Sequence, residues 1–179
     1  MTFVALLRGI NVGKAKRIAM ADLRGMLEGL GYSNVRTLLN SGNAVFTAAR
    51  GAPAGHAVRI VAAIAERFAM EVPVIVKSAA DLDAMAKENR LATRAPDFSR
   101  LLTVFAKEPA QLKSISALAG LVEPPEELLI GRHAAYLHCA NGILKSRAGE
   151  ALLGKAGKEF TTRNWATVEK IRALMAGEA

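Results

Sequence analysis

Two short stretches rich in glycine and amide side chains hold the residues best suited to ligand chemistry. They are Leu7-Arg8-Gly9-Ile10-Asn11-Val12-Gly13-Lys14 and Asn40-Ser41-Gly42-Asn43. A glycine between small polar residues supplies the positive φ of a tight turn. Successive glycine-rich peptides can turn their N–H groups toward an anion, and Arg8 and Lys14 add positive charge. Further along lie Ser146 and the run Arg163-Asn164-Trp165. An arginine can fork onto phosphate or carboxylate, and an indole can stack on a base. The same run also reads structurally, with Asn164 capping a helix and Trp165 in the core. The candidate ligand-binding set is Arg8, Gly9, Asn11, Lys14, Ser41, Gly42, Asn43, Ser146, Arg163, Asn164 and Trp165.

Several familiar chemistries do not fit. Gly9 to Ala15 approaches a phosphate-binding P-loop, but that motif has four residues between its glycines, then Lys and Ser or Thr. Here there are three, and Ala15 follows Lys14. Ser41 lacks the Gly-x-Ser-x-Gly elbow of a hydrolase nucleophile and has no histidine in its motif to act as base. His133 and His138 are five apart, so on a strand they point to opposite faces, and no acidic pair completes a metal site with Cys139. No metal and no cofactor is expected from these residues, and any catalytic residue is unknown. RNA recognition on a sheet face usually interleaves aromatics on central strands, whereas Phe46, Phe105 and Tyr136 are isolated.

The charge is unevenly placed. The 179 residues carry a net +8, and residues 1–50 hold seven basic and two acidic side chains. Residues 51–98 hold six of each, while residues 145–165 hold five basic and two acidic. The whole excess therefore sits with the two groups of polar motifs, where a positive field favours phosphates, nucleotides or nucleic acid. A single cysteine, Cys139, allows no internal disulfide and agrees with a reducing compartment. No apolar run approaches the ~18 residues that span a bilayer, and Phe3–Leu7 is too short for a signal peptide. These features point to a cytoplasmic protein that contacts no membrane.

The elements that position the motifs follow from apolar spacing. Phe3–Leu7 reads as a buried strand, and residues 19–30 as a helix on Met20, Leu23, Leu27 and Leu30, stopped by Gly31. Val35–Leu39 and Ala44–Thr47 make a hairpin. Val58, Val61, Ala65 and Phe68 mark a second helix. Val74–Lys77 is a strand, placed at an edge by Pro73, and a capping pair Ser78/Asp81 opens a helix to Glu88. The cycle then repeats. Leu101–Ala106 is a strand, and Leu112, Ile115 and Ala119 continue a helix after Pro109. Leu128–Ile130 and Ala134–Cys139 form a hairpin, residues 144–156 a helix, Glu159–Thr161 a strand, and Val168, Ile171 and Met175 a last helix. Each half reads β-α-β-β-α-β with an extra helix, the split βαβ or ferredoxin-like order. The expected organisation is α+β, with one ferredoxin-like half over 1–88, a linker over 89–99, and a second half over 100–179. In such a sheet the first and third strands are antiparallel neighbours, which brings Arg8-Gly9 beside Gly42-Asn43.

Leu7–Gly13, Asn40–Asn43 and Thr162-Arg163-Asn164-Trp165-Ala166-Thr167-Val168 together resemble a bacterial family, domain of unknown function 1697. The resemblance covers nearly the whole chain, with three separate motifs in the family's order. Members often carry Gly-Gly or Gly-Lys after the first Asn-x, here Gly13-Lys14; many carry Gln before Ser-Gly-Asn, where this chain has Asn40. The resemblance implies a cytoplasmic α+β protein with two ferredoxin-like halves and no assigned reaction. From the residues, the expected function is binding of a phosphorylated or other anionic ligand, a small molecule, nucleotide or RNA, at the basic loops. The alternatives are an enzyme of unidentified class using the same loops, and an interaction module whose loops are structural. The oligomeric state is left open.

Overall fold

A computed structural model describes residues 1–13 and 16–177. The chain divides into two compact units, Met1–Ala80 with Ile171–Ala179, and Asp81–Lys170. Unit 1 has the order β1 (Thr2–Leu7), α1 (Met20–Gly29), β2 (Ser33–Leu38), β3 (Asn43–Thr47), α2 (Pro53–Phe68), β4 (Val74–Ser78) and then α3 (Ala79–Glu88), which runs on into unit 2. Its sheet order is β2-β3-β1-β4, every pair antiparallel. Unit 2 has β5 (Leu101–Ala106), β6 (Glu127–Ile130), β7 (Ala135–His138), α4 (Arg147–Leu153), β8 (Phe160–Asn164) and α5 (Trp165–Ala176), whose last turns belong to unit 1. Its sheet order is β6-β7-β5-β8, again antiparallel throughout. Both sheets thus have the split βαβ order, and β4 is at an edge, where Pro73 is tolerated. Residues 89–99 hold two short 3-10 turns, Arg90–Thr93 and Phe98–Arg100. Among the described residues, no helix is long and apolar enough to cross a membrane.

One face of the first sheet (Phe3, Ala5, Leu7, Ala44, Phe46, Val74, Val76) packs under α1 and α2. Alternation along each strand places these residues on one side. The buried stripe of α2 differs from the one expected. Val58, Val61 and Ala65 are exposed; His56, Ile60 and Ile64 are buried at i, i+4 and i+8. A histidine opens the true stripe, so a search for aliphatic side chains alone chose the neighbouring face. His56 closes an aromatic cluster, with the Phe3 ring 4.6 Å and the Phe46 ring 5.6 Å away between centroids. A hydrogen bond of 2.9 Å joins Tyr32 Oη and His56 Nδ1. The other ring nitrogen, Nε2, is buried without a partner.

The crossover between β5 and β6 also departs from expectation. Pro109–Leu121 is wound as 3-10 turns. Three residues per turn puts Leu112, Ile115 and Leu118 inward, with Leu121 packed against the same core, and leaves Ala119 exposed. The Leu-x-x-Ile-x-x-Leu-x-x-Leu spacing carries that period of three; a 3.6-residue reading selected Ala119. Residues 144–156 are likewise not one helix. α4 ends at Leu153, and Lys155–Gly157 is a separate 3-10 turn. β8 is longer than expected and takes in Arg163 and Asn164.

Burial lowers the His56 pKa from its ordinary 6.5, and the nearby Arg59 charge lowers it further. The unfolded chain takes up a proton near 6.5, whereas the folded chain resists it. Stability is therefore full above about pH 6.5 and is lost as pH falls through the depressed folded value. The melting temperature should fall on acidification below about pH 6.5, and His56→Phe should flatten that part of the profile. An unchanged slope in His56→Phe would assign the acid sensitivity to other groups.

Candidate functional site

The two glycine motifs meet. Leu7 N–H donates to the Gly42 carbonyl at 2.8 Å, at the end of a β1–β3 register that pairs Leu6 with Asn43. Asn11 stitches the loops together. Its Nδ2 donates to the Ile18 carbonyl at 2.9 Å and to the Asn40 carbonyl at 2.8 Å, and its Oδ1 accepts from Ile18 N–H at 3.0 Å. Its backbone N–H donates to the Lys16 carbonyl at 3.0 Å. The backbone at Asn11 has φ +56, a conformation that asparagine tolerates better than most residues. Arg8, half-buried, donates its N–H to the Pro73 carbonyl at 2.9 Å, tying the segment before β4 to the same edge.

Gly42 shows why the junction needs a glycine. Its φ is +82, and a Cβ there would lie 2.7 Å from Leu7 Cβ and 2.8 Å from Ile10 Cδ1. Asn43 is fully buried; its Nδ2 donates to the Leu38 carbonyl at 2.9 Å and to Ser41 Oγ at 3.1 Å. The amides of Asn11 and Asn43 therefore hold the loops, while Gly9, Val12, Gly13, Asn40 and Ser41 form the exposed rim. Around them lie Arg8, Lys16 and Arg17; Lys16 Nζ donates to the Glu71 carbonyl and Arg17 Nη2 to the Gly13 carbonyl. Lys14, also singled out from sequence, lies outside the described residues.

The candidates in unit 2 have well-defined structural positions. Asn164 Oδ1 accepts the Thr167 N–H at 2.9 Å, capping α5. Trp165 is 3% exposed and meets the Tyr136 ring edge-on at 6.2 Å, so its indole faces the core rather than a ligand. Ser146, also buried, caps α4 by accepting the Gly149 N–H at 3.0 Å. Arg163 Nη1 donates to Thr161 Oγ1 and to the Thr162 carbonyl; loss of water lowers its pKa to about 10, which leaves it charged at neutral pH. Cys139 is buried, which pushes its thiol pKa up and makes it a small apolar filler rather than a nucleophile. Among the described residues, no group of three or more His, Cys, Asp or Glu could hold a metal.

Sequence reasoning missed an anion cradle in unit 2. The Glu88 carboxylate accepts the N–H groups of Arg132, His133 and Ala134 at 2.9–3.0 Å, and Tyr136 Oη lies 3.0 Å from its Oε1. Gly131 makes room, since a Cβ there would fall 2.3 Å from Glu88 Oε1. Burial, and then the Glu88 charge beside it, raises the Tyr136 pKa. No local pattern links Glu88 to a turn more than forty residues away. The glycine in the β6–β7 turn was the visible sign.

Gly42→Ala should cost about 2 kcal/mol or more, because strain at positive φ adds to the clash with Leu7. Gly13→Ala, with φ +63 but nothing within 4 Å of the added Cβ, should cost about 1 kcal/mol. Urea unfolding of the two variants checks the order; equal costs would show that the Gly42 contact with Leu7 is slack.

The comparisons agree with this architecture. A family model described as Protein of unknown function (DUF1697) matches residues 1–136. No curated protein matches the chain. Among solved structures, a conserved bacterial protein from Streptococcus pneumoniae is similar, with 26% identity and a TM-score of 0.75 over 97% of this chain and 98% of that one. With the family model spanning well over half of its length, the chain belongs to the family described as Protein of unknown function (DUF1697).

Proposed function

We propose that this protein binds a phosphorylated or similarly anionic small molecule, such as a nucleotide, on the rim formed by residues 8–13 and 40–43, and that it does so in the cytoplasm. The observation that carries the reading is the seam itself. The Asn11–Asn40 and Leu7–Gly42 hydrogen bonds hold two exposed backbone loops side by side, and among the described residues Arg8, Lys16 and Arg17 outnumber the one acidic residue at this edge, Glu71, whose carbonyl Lys16 meets. Residues 1–21 contain Arg8, Lys14, Lys16 and Arg17 and no Asp or Glu, and residues 29–65 contain no Asp or Glu either. A fixed backbone edge under a positive field is suited to anion capture.

The pseudo-repeat adds support. The β6–β7 turn of unit 2 occupies the position in its sheet that the β2–β3 turn, Leu39–Gly42, occupies in unit 1. In unit 2 that turn already holds a carboxylate through three backbone N–H groups. A hairpin turn at this corner of the fold is thus able to coordinate an anion. The competing reading, a protein-interaction module with structural loops, draws on the internal hydrogen bonds of Asn11 and Asn43. It expects the loops to carry stability and no ligand.

Calorimetric titration with nucleoside mono-, di- and triphosphates tests the reading. We expect a dissociation constant below about 1 mM for at least one of them, weakened tenfold or more in Arg8→Ala, whose melting temperature stays near that of the parent. Absence of binding across the panel would remove the proposal. Loss of stability in Arg8→Ala with no change in affinity would favour the structural reading.

A further inference from the structure

A second polar concavity opens in unit 1 at the opposite end of the same strands, where Thr2 pairs with Thr47. It has a volume of about 480 Å³, within the range of small-molecule sites, and Thr2, Asn34, Arg36, Val45, Thr47 and Met175 line it. Among the described residues, none that lines it is acidic. The shape arises from a bulge. The β2–β3 register shifts between Ser33 and Arg36, and Asn34 takes φ +52 at the shift. A bulge re-aims the side chains beside it; Val35 joins the core, and both it and Arg36 line the cavity.

Arg36 is the charged group of this cavity. One of its terminal nitrogens, Nη2, donates to the Leu174 carbonyl in the last turns of α5. A guanidinium has five N–H donors in a planar fork, and no carboxylate pairs with Arg36 among the described residues. Asn34 Nδ2 and Thr47 Oγ1 lie 3.5 Å apart beside it, at the limit of a hydrogen bond. Val45 and Met175 supply apolar surface. The carbonyl end of α5 carries partial negative charge, so an anion held here depends on the positive charge of the guanidinium.

We propose that this cavity binds a small molecule bearing one carboxylate or phosphate group and a short apolar segment. The anion forks onto Arg36, the Asn34 amide and Thr47 hydroxyl donate to it, and the apolar part lies along Val45 and Met175. This site is independent of the glycine-loop rim.

Backbone amide NMR with titrations of acetate, hexanoate and inorganic phosphate tests the assignment. Shifts are expected at Asn34, Thr47 and Gly177, with hexanoate saturating at a lower concentration than acetate; whether phosphate or carboxylate saturates first identifies the preferred head group. Because Arg36→Gln also removes a partner of α5, the informative variant is Asn34→Asp. Asp tolerates positive φ nearly as well as Asn, and its carboxylate supplies Arg36 with an internal anion. Asn34→Asp should keep or raise the melting temperature and weaken hexanoate at least tenfold, whereas Arg8→Ala should leave these shifts unchanged. The proposal is overturned by no shifts up to about 10 mM ligand, a range that captures weak millimolar binding. Shifts confined to residues 8–13 and 40–43, or full binding in Asn34→Asp, overturn it equally.

Discussion

The side chain of Asn11 is the constraint on which unit 1 depends. Three hydrogen bonds from one amide close the loop from Asn11 to Ile18 and fasten it to Asn40. Both donors of the amide group are used, and the backbone conformation at φ +56 suits asparagine. Gly42 completes the fit from the other side, because no side chain fits between it and Leu7. Two of these hydrogen bonds are part-buried and the one to Asn40 is exposed; such bonds contribute about 1 kcal/mol each, and stranding a part-buried partner costs more. The junction therefore behaves as a unit: loss of the amide would strand the Ile18 N–H and two carbonyls together. What remains exposed is a rim of glycine, small polar residues and Val12 under positive charge.

Unit 2 solves the same topological problem differently. Its hairpin turn is fastened by the Glu88 carboxylate, which reaches three consecutive N–H groups and the Tyr136 hydroxyl. Charge-assisted bonds to a carboxylate are stronger than neutral ones, so this turn is held by an anion from within the chain. Asn164 and Ser146 cap helices and Trp165 fills the core. One sheet order thus supports two arrangements, a turn tied by a carboxylate and a turn tied by asparagine amides.

The sheet order, the edge position of β4 and the meeting of the two glycine motifs were legible because each follows from strand alternation and from glycine at a required turn. The buried face of α2 was not, because His56 is polar by type and apolar by environment, enclosed by Phe3, Tyr32 and Phe46. The crossover Pro109–Leu121 was misread in period, with Leu118 and not Ala119 inward. The sequence could not tell whether Trp165 was a stacking platform or a core ring; that depends on Tyr136, which is distant along the chain. The Glu88 cradle lay beyond any local signal, since its partners come from a turn that only the folded sheet brings near.

The most direct test is native-state hydrogen exchange of the Leu7 and Ile18 amides, which donate to Gly42 and to Asn11 across the seam. In the parent protein both should exchange slowly. In Asn11→Ala their protection should fall by an order of magnitude or more, while Val4 and Ala5 in the same strand keep theirs. If Leu7 and Ile18 remain as protected without the Asn11 amide as with it, the seam does not fix the loops and the account of the rim fails.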